Sequence, residues 1–300
     1  MSMSAQTSQF DTGHIPPVQQ QQVPGWQKDM EQQPSTEYVP TPEGGYKLYE
    51  ASGKLKNRKA LITGGDSGIG KATAVLFAME GADVLIQYLP EEEKDAQDTK
   101  AKVEKYGRKC YMYAANLKDK DNCVKMVEKA LNEMGGINIL FNNHAYQMYR
   151  ENILEVPDEQ WLHTFDTNIH PFFYTSKAAL PHMKKGDTII NDASVNAYIG
   201  RPDLIDYTST KGAIVAFTRA LSNQWVAKGI RVNAIAPGPV YTPLAVATFP
   251  PHALEQFQGP MGRPGQPSEI GAVCVFLAST DSSQISGQTI HCNGGMVVNG

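Results

Sequence analysis

The chain has 300 residues, and its 27 Lys and Arg against 31 Asp and Glu leave a net charge of -4. That balance excludes the basic surface a nucleic-acid binder needs. Apolar runs such as Gly271–Ala278 fall far short of the ~20 residues that span a bilayer, the N-terminus lacks a secretory apolar run, and Cys110, Cys123, Cys274 and Cys292 lie far apart with no CxxC pair; a cytoplasmic globular protein without a metal site is the expectation.

Residues 1–53 read as an arm. Its first 45 residues hold nine Gln and six Pro and no hydrophobic periodicity, a composition that buries too little apolar area to order in isolation. Such an arm is either a tail or a segment lying on its own or a neighbouring subunit, with Trp26, Tyr38 and Tyr46 as anchors.

From Lys54 to Gly300 the pattern is that of one domain. Short β-rich runs at Lys59–Thr63, Ala82–Tyr88, Lys109–Ala115, Ile137–Asn142, Asp187–Asp192, Ile230–Ala236 and Gln288–Cys292 alternate with helical segments. The helical spacing falls at Ile69–Glu80, Glu91–Tyr106, Lys120–Met134, Pro171–Lys184, Tyr207–Lys228 and Pro267–Ser279. This alternation predicts an α/β fold: a doubly wound, seven-stranded parallel sheet of Rossmann type, with helices on both faces. The stretch Thr242–Gln266 reads as an insertion, rich in Pro and apolar residues as a substrate lid would be.

Thr63-Gly64-Gly65-Asp66-Ser67-Gly68-Ile69-Gly70 follows the first strand of that domain and opens its first helix. Glycines at 64, 68 and 70 let the backbone turn tightly and approach a pyrophosphate, and the helix N-terminus offers that anion free N–H groups and a positive dipole end. Two impostors overlap the loop. Gly65-Asp66-Ser67-Gly68 resembles the nucleophile segment of serine proteases, but the chain lacks that all-β spacing. Gly65 to Lys71 fits G-x-x-x-x-G-K, yet Ala72 stands where a P-loop needs a hydroxyl for Mg²⁺.

Tyr207 and Lys211 stand four apart at the start of a predicted helix, on one face of it. A free phenol titrates near 10, and a neighbouring ammonium favours the phenolate, moving that value toward the working range. Y-x-x-x-K alone is commonplace, but here it has company. Ser194 lies thirteen residues upstream, after the fifth strand. Asn142-Asn143-His144-Ala145 ends the fourth, Phe165-Asp166-Thr167-Asn168 sits on the helix that follows, and Asn233 to Pro237-Gly238 and Thr242 close the sixth. These are the carboxyl ends of strands and adjacent helices, where open parallel sheets bind ligands.

Together these motifs resemble the short-chain dehydrogenase/reductase superfamily, in its single-domain branch and a subgroup with an N-terminal extension. The resemblance covers Lys54–Gly300 and implies the following roles. Tyr207 is the acid/base, Ser194 orients the carbonyl, and Lys211 holds the nicotinamide ribose and lowers the Tyr207 pKa. Asn168 positions a water that links Lys211 to solvent. Gly64, Asp66, Ser67, Ile69 and Gly70 line the pyrophosphate and ribose, and Tyr88, Asn116 and Asn143 lie on the adenosine side. Pro237, Gly238, Val240 and Thr242 reach the carboxamide. Two departures stand out: His144 replaces a small residue, as a structural histidine or a second proton-transfer group, and Asn116 stands where an Asp usually meets adenine.

Tyr88, instead of an acid claiming the ribose 2′-OH, favours NADP, whereas Asp66 would repel a 2′-phosphate; NADP is the expected cofactor, with NAD possible. The expected activity is hydride transfer between nicotinamide and a small carbonyl or alcohol substrate. The alternatives are C=N reduction on the same scaffold, or a cofactor-binding regulatory protein without catalysis. The family's helices at Pro171–Lys184 and Tyr207–Lys228 further imply a homo-oligomer, a tetramer or dimer.

Overall fold

The computed structural model describes residues 8–298. In chain order its elements are β1 (Tyr38–Pro40), β2 (Tyr46–Leu48), β3 (Lys59–Thr63), α1 (Gly68–Met79), β4 (Asp83–Tyr88), α2 (Glu93–Lys105) and β5 (Cys110–Ala114). There follow α3 (Lys120–Met134), β6 (Ile139–Asn142), α4 (Asp158–Asn168), α5 (His170–Ala179), β7 (Thr188–Asp192), α6 (Asn196–Ile199) and α7 (Ile205–Trp225). The chain closes with β8 (Arg231–Pro237), α8 (Pro243–Thr248), α9 (Pro251–Glu255), α10 (Pro267–Ala278) and β9 (Thr289–Cys292). Among the described residues no helix is long and apolar enough to cross a membrane.

Strands β3 to β9 form a seven-stranded parallel sheet in the order β5-β4-β3-β6-β7-β8-β9. Its two-residue alternation decides which layer each side chain joins. Along β3, Ala60 and Ile62 pack with α1, α2 and α10, while Leu61 between them packs with α3, α5 and α7. Ile139 and Phe141 on β6 face the first layer and Leu140 the second. Because both faces are covered, β6, β7 and β8 are buried along their whole length, which is why they read as near-continuous apolar runs. The strand order reverses between β3 and β6, so their carboxyl ends border the crevice where such sheets take a ligand.

The sequence placed all seven sheet strands to within two residues at either end. Two helical segments end differently: Pro171–Lys184 is α5 followed by a 3₁₀ turn at Leu180–His182, and Tyr207–Lys228 starts earlier, at Ile205, and leaves the α-helix at Trp225. The 242–266 insertion carries α8 and α9, each with Pro in its first turn, where the missing N–H costs nothing.

The arm is not irregular throughout. Residues 38–48 form a β1–β2 hairpin, and the segment before it lies against its own chain. Its buried anchors are Phe10 and Met30 with Gln27, Ser35, Thr36 and Glu37. Trp26 is only half-buried, and Tyr38 and Tyr46 stack edge-to-face on each other in solvent. The expected anchors Trp26, Tyr38 and Tyr46 thus give way to Phe10, Met30 and polar side chains: Gln27 accepts from Gly68 N and Gln20 donates to Phe249 O of the domain.

Candidate active site

The glycine loop leaves β3 with Gly64 at φ 61° and turns into α1 through Gly68 at φ 52°. A Cβ on Gly70 would lie 1.9 Å from the Gly64 carbonyl oxygen, so only glycine lets the loop fold onto the first turn. Asn143, at the end of β6, donates through Nδ2 to the carbonyls of Thr63 (2.9 Å) and Gly64 (3.0 Å) and locks the loop across the switch point. Among the described residues, the N–H groups of Ile69 and Gly70 have no protein partner, which is the cradle a pyrophosphate requires. Lys71 turns away into an ion pair with Asp98 at 2.7 Å, so the P-loop reading loses its phosphate-binding lysine.

At one end, beside the loop and the end of β4, the pocket is lined by Asp66, Ser67, Tyr88, Glu92 and Asn116. Tyr88 presents its ring and donates its hydroxyl to Glu93, and Asn116 Oδ1 accepts from Lys118 N at 3.0 Å. Asp66 is buried with Oδ2 unpartnered. Burial pushes its carboxyl up to about 6, against a hydrogen bond from Ser67. Glu92, which the sequence reading missed, is pushed up to about 9 by burial and by Asp66 beside it. The strand-end rule examines only Tyr88, but a 3₁₀ turn at Pro90–Glu92 folds a carboxylate back to the pocket.

The opposite end holds Ser194 and Tyr207, both lining the pocket and both nearly buried. The Ser194 hydroxyl stands beside the Tyr207 phenol, whose ionised form it favours, and accepts from Asn196 N at 3.1 Å. Lys211 is fully buried; its ammonium lies 5.3 Å from the centre of the Tyr207 ring and donates to the Asp192 carbonyl at 2.6 Å. The ammonium sits over the ring rather than at its oxygen, and burial followed by the Asp192 carboxylate holds the phenol above its ordinary value, with only Ser194 opposing. Asp192, another residue the sequence analysis passed over, lines the pocket with Oδ1 unpartnered and titrates near 6, raised by burial and lowered by Lys211.

Asn168 does not line the pocket. Its Oδ1 accepts from Tyr146 N at 2.7 Å, and Nδ2 donates to Tyr146 O (2.8 Å) and Thr210 Oγ1 (3.0 Å). That uses both amide hydrogens on protein partners and joins α4 to the segment after β6 and to α7. Asp206 makes a second tie between the same helices, accepting from Gln160 Nε2 (3.0 Å), Thr164 Oγ1 (2.7 Å) and Tyr207 N (2.8 Å). His144 has both ring nitrogens occupied: Nε2 donates to Thr167 O at 3.0 Å and Nδ1 accepts from Thr63 Oγ1 at 2.7 Å. Burial first, and Lys211 in addition, lower its pKa to about 4 against the Thr167 bond, so the ring is a neutral strut between β3 and α4.

Pro237, Gly238, Val240 and Thr242 line the pocket between its two ends. Beyond Tyr207 it widens among Gln147, Arg201, Leu244, Phe249, Phe257 and Met296. Arg201 is fixed by Asp203 and lies over the Phe249 ring at 4.7 Å, giving this end one cation among apolar walls. A dinucleotide therefore fits the residues present: a free pair of helix N–H groups in the middle, unpartnered carboxyl oxygens toward each end, and a glycine cradle that any side chain would fill.

Residues 64–297 match the family model described as enoyl-(acyl carrier protein) reductase. The chain belongs to the short-chain dehydrogenase/reductase superfamily. An uncharacterized oxidoreductase of Schizosaccharomyces pombe is 51% identical over 287 residues, covering 95% of this chain and 99% of that protein. Glucose and ribitol dehydrogenase of Daucus carota is 44% identical, covering 96% and 99%, and the chloroplastic NADPH-dependent aldehyde reductase 1 of Arabidopsis thaliana is 44% identical, covering 89% and 96%. Among solved structures, a short-chain dehydrogenase from Burkholderia cenocepacia in complex with NADP superposes with a TM-score of 0.75 at 26% identity, covering 81% of this chain and 99% of that one. As a short-chain dehydrogenase/reductase, this chain is an oxidoreductase.

Proposed function

We propose that this short-chain dehydrogenase/reductase interconverts a small carbonyl compound and its alcohol, with NADP(H) as cofactor and NAD(H) as the alternative. The observation that carries this reading is one pocket with the free N–H groups of α1 at its middle and the Ser194–Tyr207 pair at its far end. The NADPH-dependent aldehyde reductase and the NADP-bound structure among its relatives support the cofactor.

In this reading Ile69 and Gly70 hold the pyrophosphate, Asn143 and Asn116 flank the adenosine side, and Pro237, Gly238, Val240 and Thr242 border the nicotinamide. The bound dinucleotide supplies or accepts the hydride at its nicotinamide ring. Ser194 donates a hydrogen bond to the carbonyl oxygen and fixes its distance from Tyr207. During reduction Tyr207 gives its phenolic proton to that oxygen. Lys211, whose ammonium stands 5.3 Å from the centre of the Tyr207 ring, would hold the nicotinamide ribose. Asn168 and Asp206 keep α4 and α7 in register beneath these groups. The wall of Leu244, Phe249, Phe257 and Met296 suits a substrate with an apolar body, and Arg201 suits one that also carries a polar or anionic group.

The exposed apolar residues Trp161, Leu162 and Phe173 on α4 and α5, with Ala216 and Phe217 on α7, supply the face on which two subunits would pair. This gives a homo-oligomer, a dimer through this face alone or a tetramer with a second one. Turnover assays with NADPH and NADH across aldehydes, ketones and polyols test the activity; no turnover with any of them would overturn it.

A further inference from the structure

Residues 24–30 precede the family match, which begins at residue 64, yet they reach the same pocket. Pro24 is among its lining residues, beside Thr242 and Pro243. Gln27 is 2% exposed, and its Oε1 accepts from Gly68 N at 2.8 Å, taking the first N–H of α1. The backbone there is pinned from three sides. Gln27 N and Lys28 N donate to the two oxygens of Asp95 at 2.7 and 2.9 Å, and Gln33 Nε2 donates to Gln27 O at 2.8 Å. The same segment also grips the far side of the pocket. Met30 is buried against Tyr241 and Val246, and Gly25 packs so closely on Pro243 that a Cβ would come within 2.7 Å of its carbonyl oxygen.

We propose that the segment 24–30 borders the dinucleotide pocket through Pro24, and that Gln27 is a positioning residue for the loop that holds the pyrophosphate; this rests on the dinucleotide reading above. By taking the Gly68 N–H with a neutral acceptor, Gln27 fixes the first turn of α1 and leaves Ile69 and Gly70 as donors for the anion. The unpartnered Asp66 Oδ2 in the same pocket is a second sign that the site awaits a ligand. Through Met30 and Gly25 the segment also ties the cofactor end to α8, so the arm joins the two halves of the pocket.

The test is Gln27→Glu in the full chain, with Kd for NADP and NAD by calorimetry and the Tm of the cofactor-free protein. Gln27 is buried beside the Asp95 carboxylate, so a second carboxylate there lowers Tm whatever its role. The proposal predicts that the folded variant binds both dinucleotides about tenfold or more weakly, because the carboxylate repels the pyrophosphate across a short distance, whereas a merely structural role leaves the affinity of the folded protein unchanged. Adenosine, lacking the phosphates, should bind both proteins alike. Gln27→Ala, should the first variant fail to fold, should weaken dinucleotide binding several-fold. Wild-type Kd values in whichever variant folds overturn the proposal, whereas a wild-type protein that binds neither dinucleotide overturns the cofactor reading itself.

Discussion

Asp206→Ala is expected to cost both stability and turnover. The carboxylate is 1% exposed and accepts from three donors on two helices. Thr164 has a fallback, since its hydroxyl already reaches Gln160 O at 2.8 Å. Gln160 Nε2 retains only a longer contact to Met148 O at 3.3 Å, and Tyr207 N has no other partner among the described residues. Two donors are thus stranded, and hydrogen bonds to a charged group contribute about 1.5–3 kcal/mol each, which gives a loss of about 3–6 kcal/mol. At about 2 °C per kcal/mol for a chain of this size, the Tm should fall by about 6–12 °C. Asp206→Asn keeps one acceptor oxygen and should cost about half as much. Because the same tie sets Tyr207 against the helix that carries Asn168, kcat should fall about 10–100-fold in the Ala variant. Calorimetric melting with parallel initial-rate assays measures both. A Tm within about 2 °C of wild type, with kcat unchanged, would show that the network neither supports the fold nor places the tyrosine.

Further outcomes follow from the charges and the arm. Glu92 is raised from 4.5 unfolded to about 9 folded, so the folded state holds the extra proton. Its contribution to stability is fully present below about pH 4.5 and is lost as pH rises toward 9. Glu92→Gln should therefore flatten the alkaline decline of Tm; parallel Tm–pH curves for the two proteins would contradict this. As Asp66 and Glu92 ionise between about pH 6 and 9, the ratio of Kd for NADP to Kd for NAD should rise, and Asp66→Asn should remove the lower part of that rise. Deleting residues 1–53 should lower Tm, since Phe10, Met30 and Gln27 lose their buried sites. Light scattering should give a dimer or a tetramer for the full chain; a monomer would refute the assembly proposed for α4, α5 and α7.

What was legible in the sequence was local. β3 to β9 announced themselves as apolar runs, and Gly64–Gly70, Tyr207 with Lys211, and Ser194 each sit on one element or at one strand end. What escaped it joins residues far apart by single polar contacts that leave no periodicity. Gln27 meets Gly68 forty-one positions away, Asp95 holds the arm across sixty-eight, and Ser35 N donates to Gln266 Oε1 across 231. Glu92 and Asp192 escaped for a different reason. A carboxylate in a turn or at the end of a buried strand reads as solvated unless its surroundings are known, and here burial rather than sequence makes each unusual. The contact of Lys211 with Tyr207 was legible only in part, because i, i+4 spacing places the ammonium near the ring without saying which atom it faces.

The most direct measurement is kcat for Tyr207→Phe on a carbonyl substrate that the wild-type protein reduces, together with the Kd of the variant for the dinucleotide. The substitution keeps the ring against Lys211 and removes only the hydroxyl beside Ser194. General acid catalysis contributes about 10²–10⁴-fold, so kcat should fall by that range while dinucleotide affinity stays within about threefold, or less than 0.7 kcal/mol. A Phe variant that turns over at close to the wild-type rate would contradict the assignment of Tyr207 as the proton donor, and with it the account of this pocket.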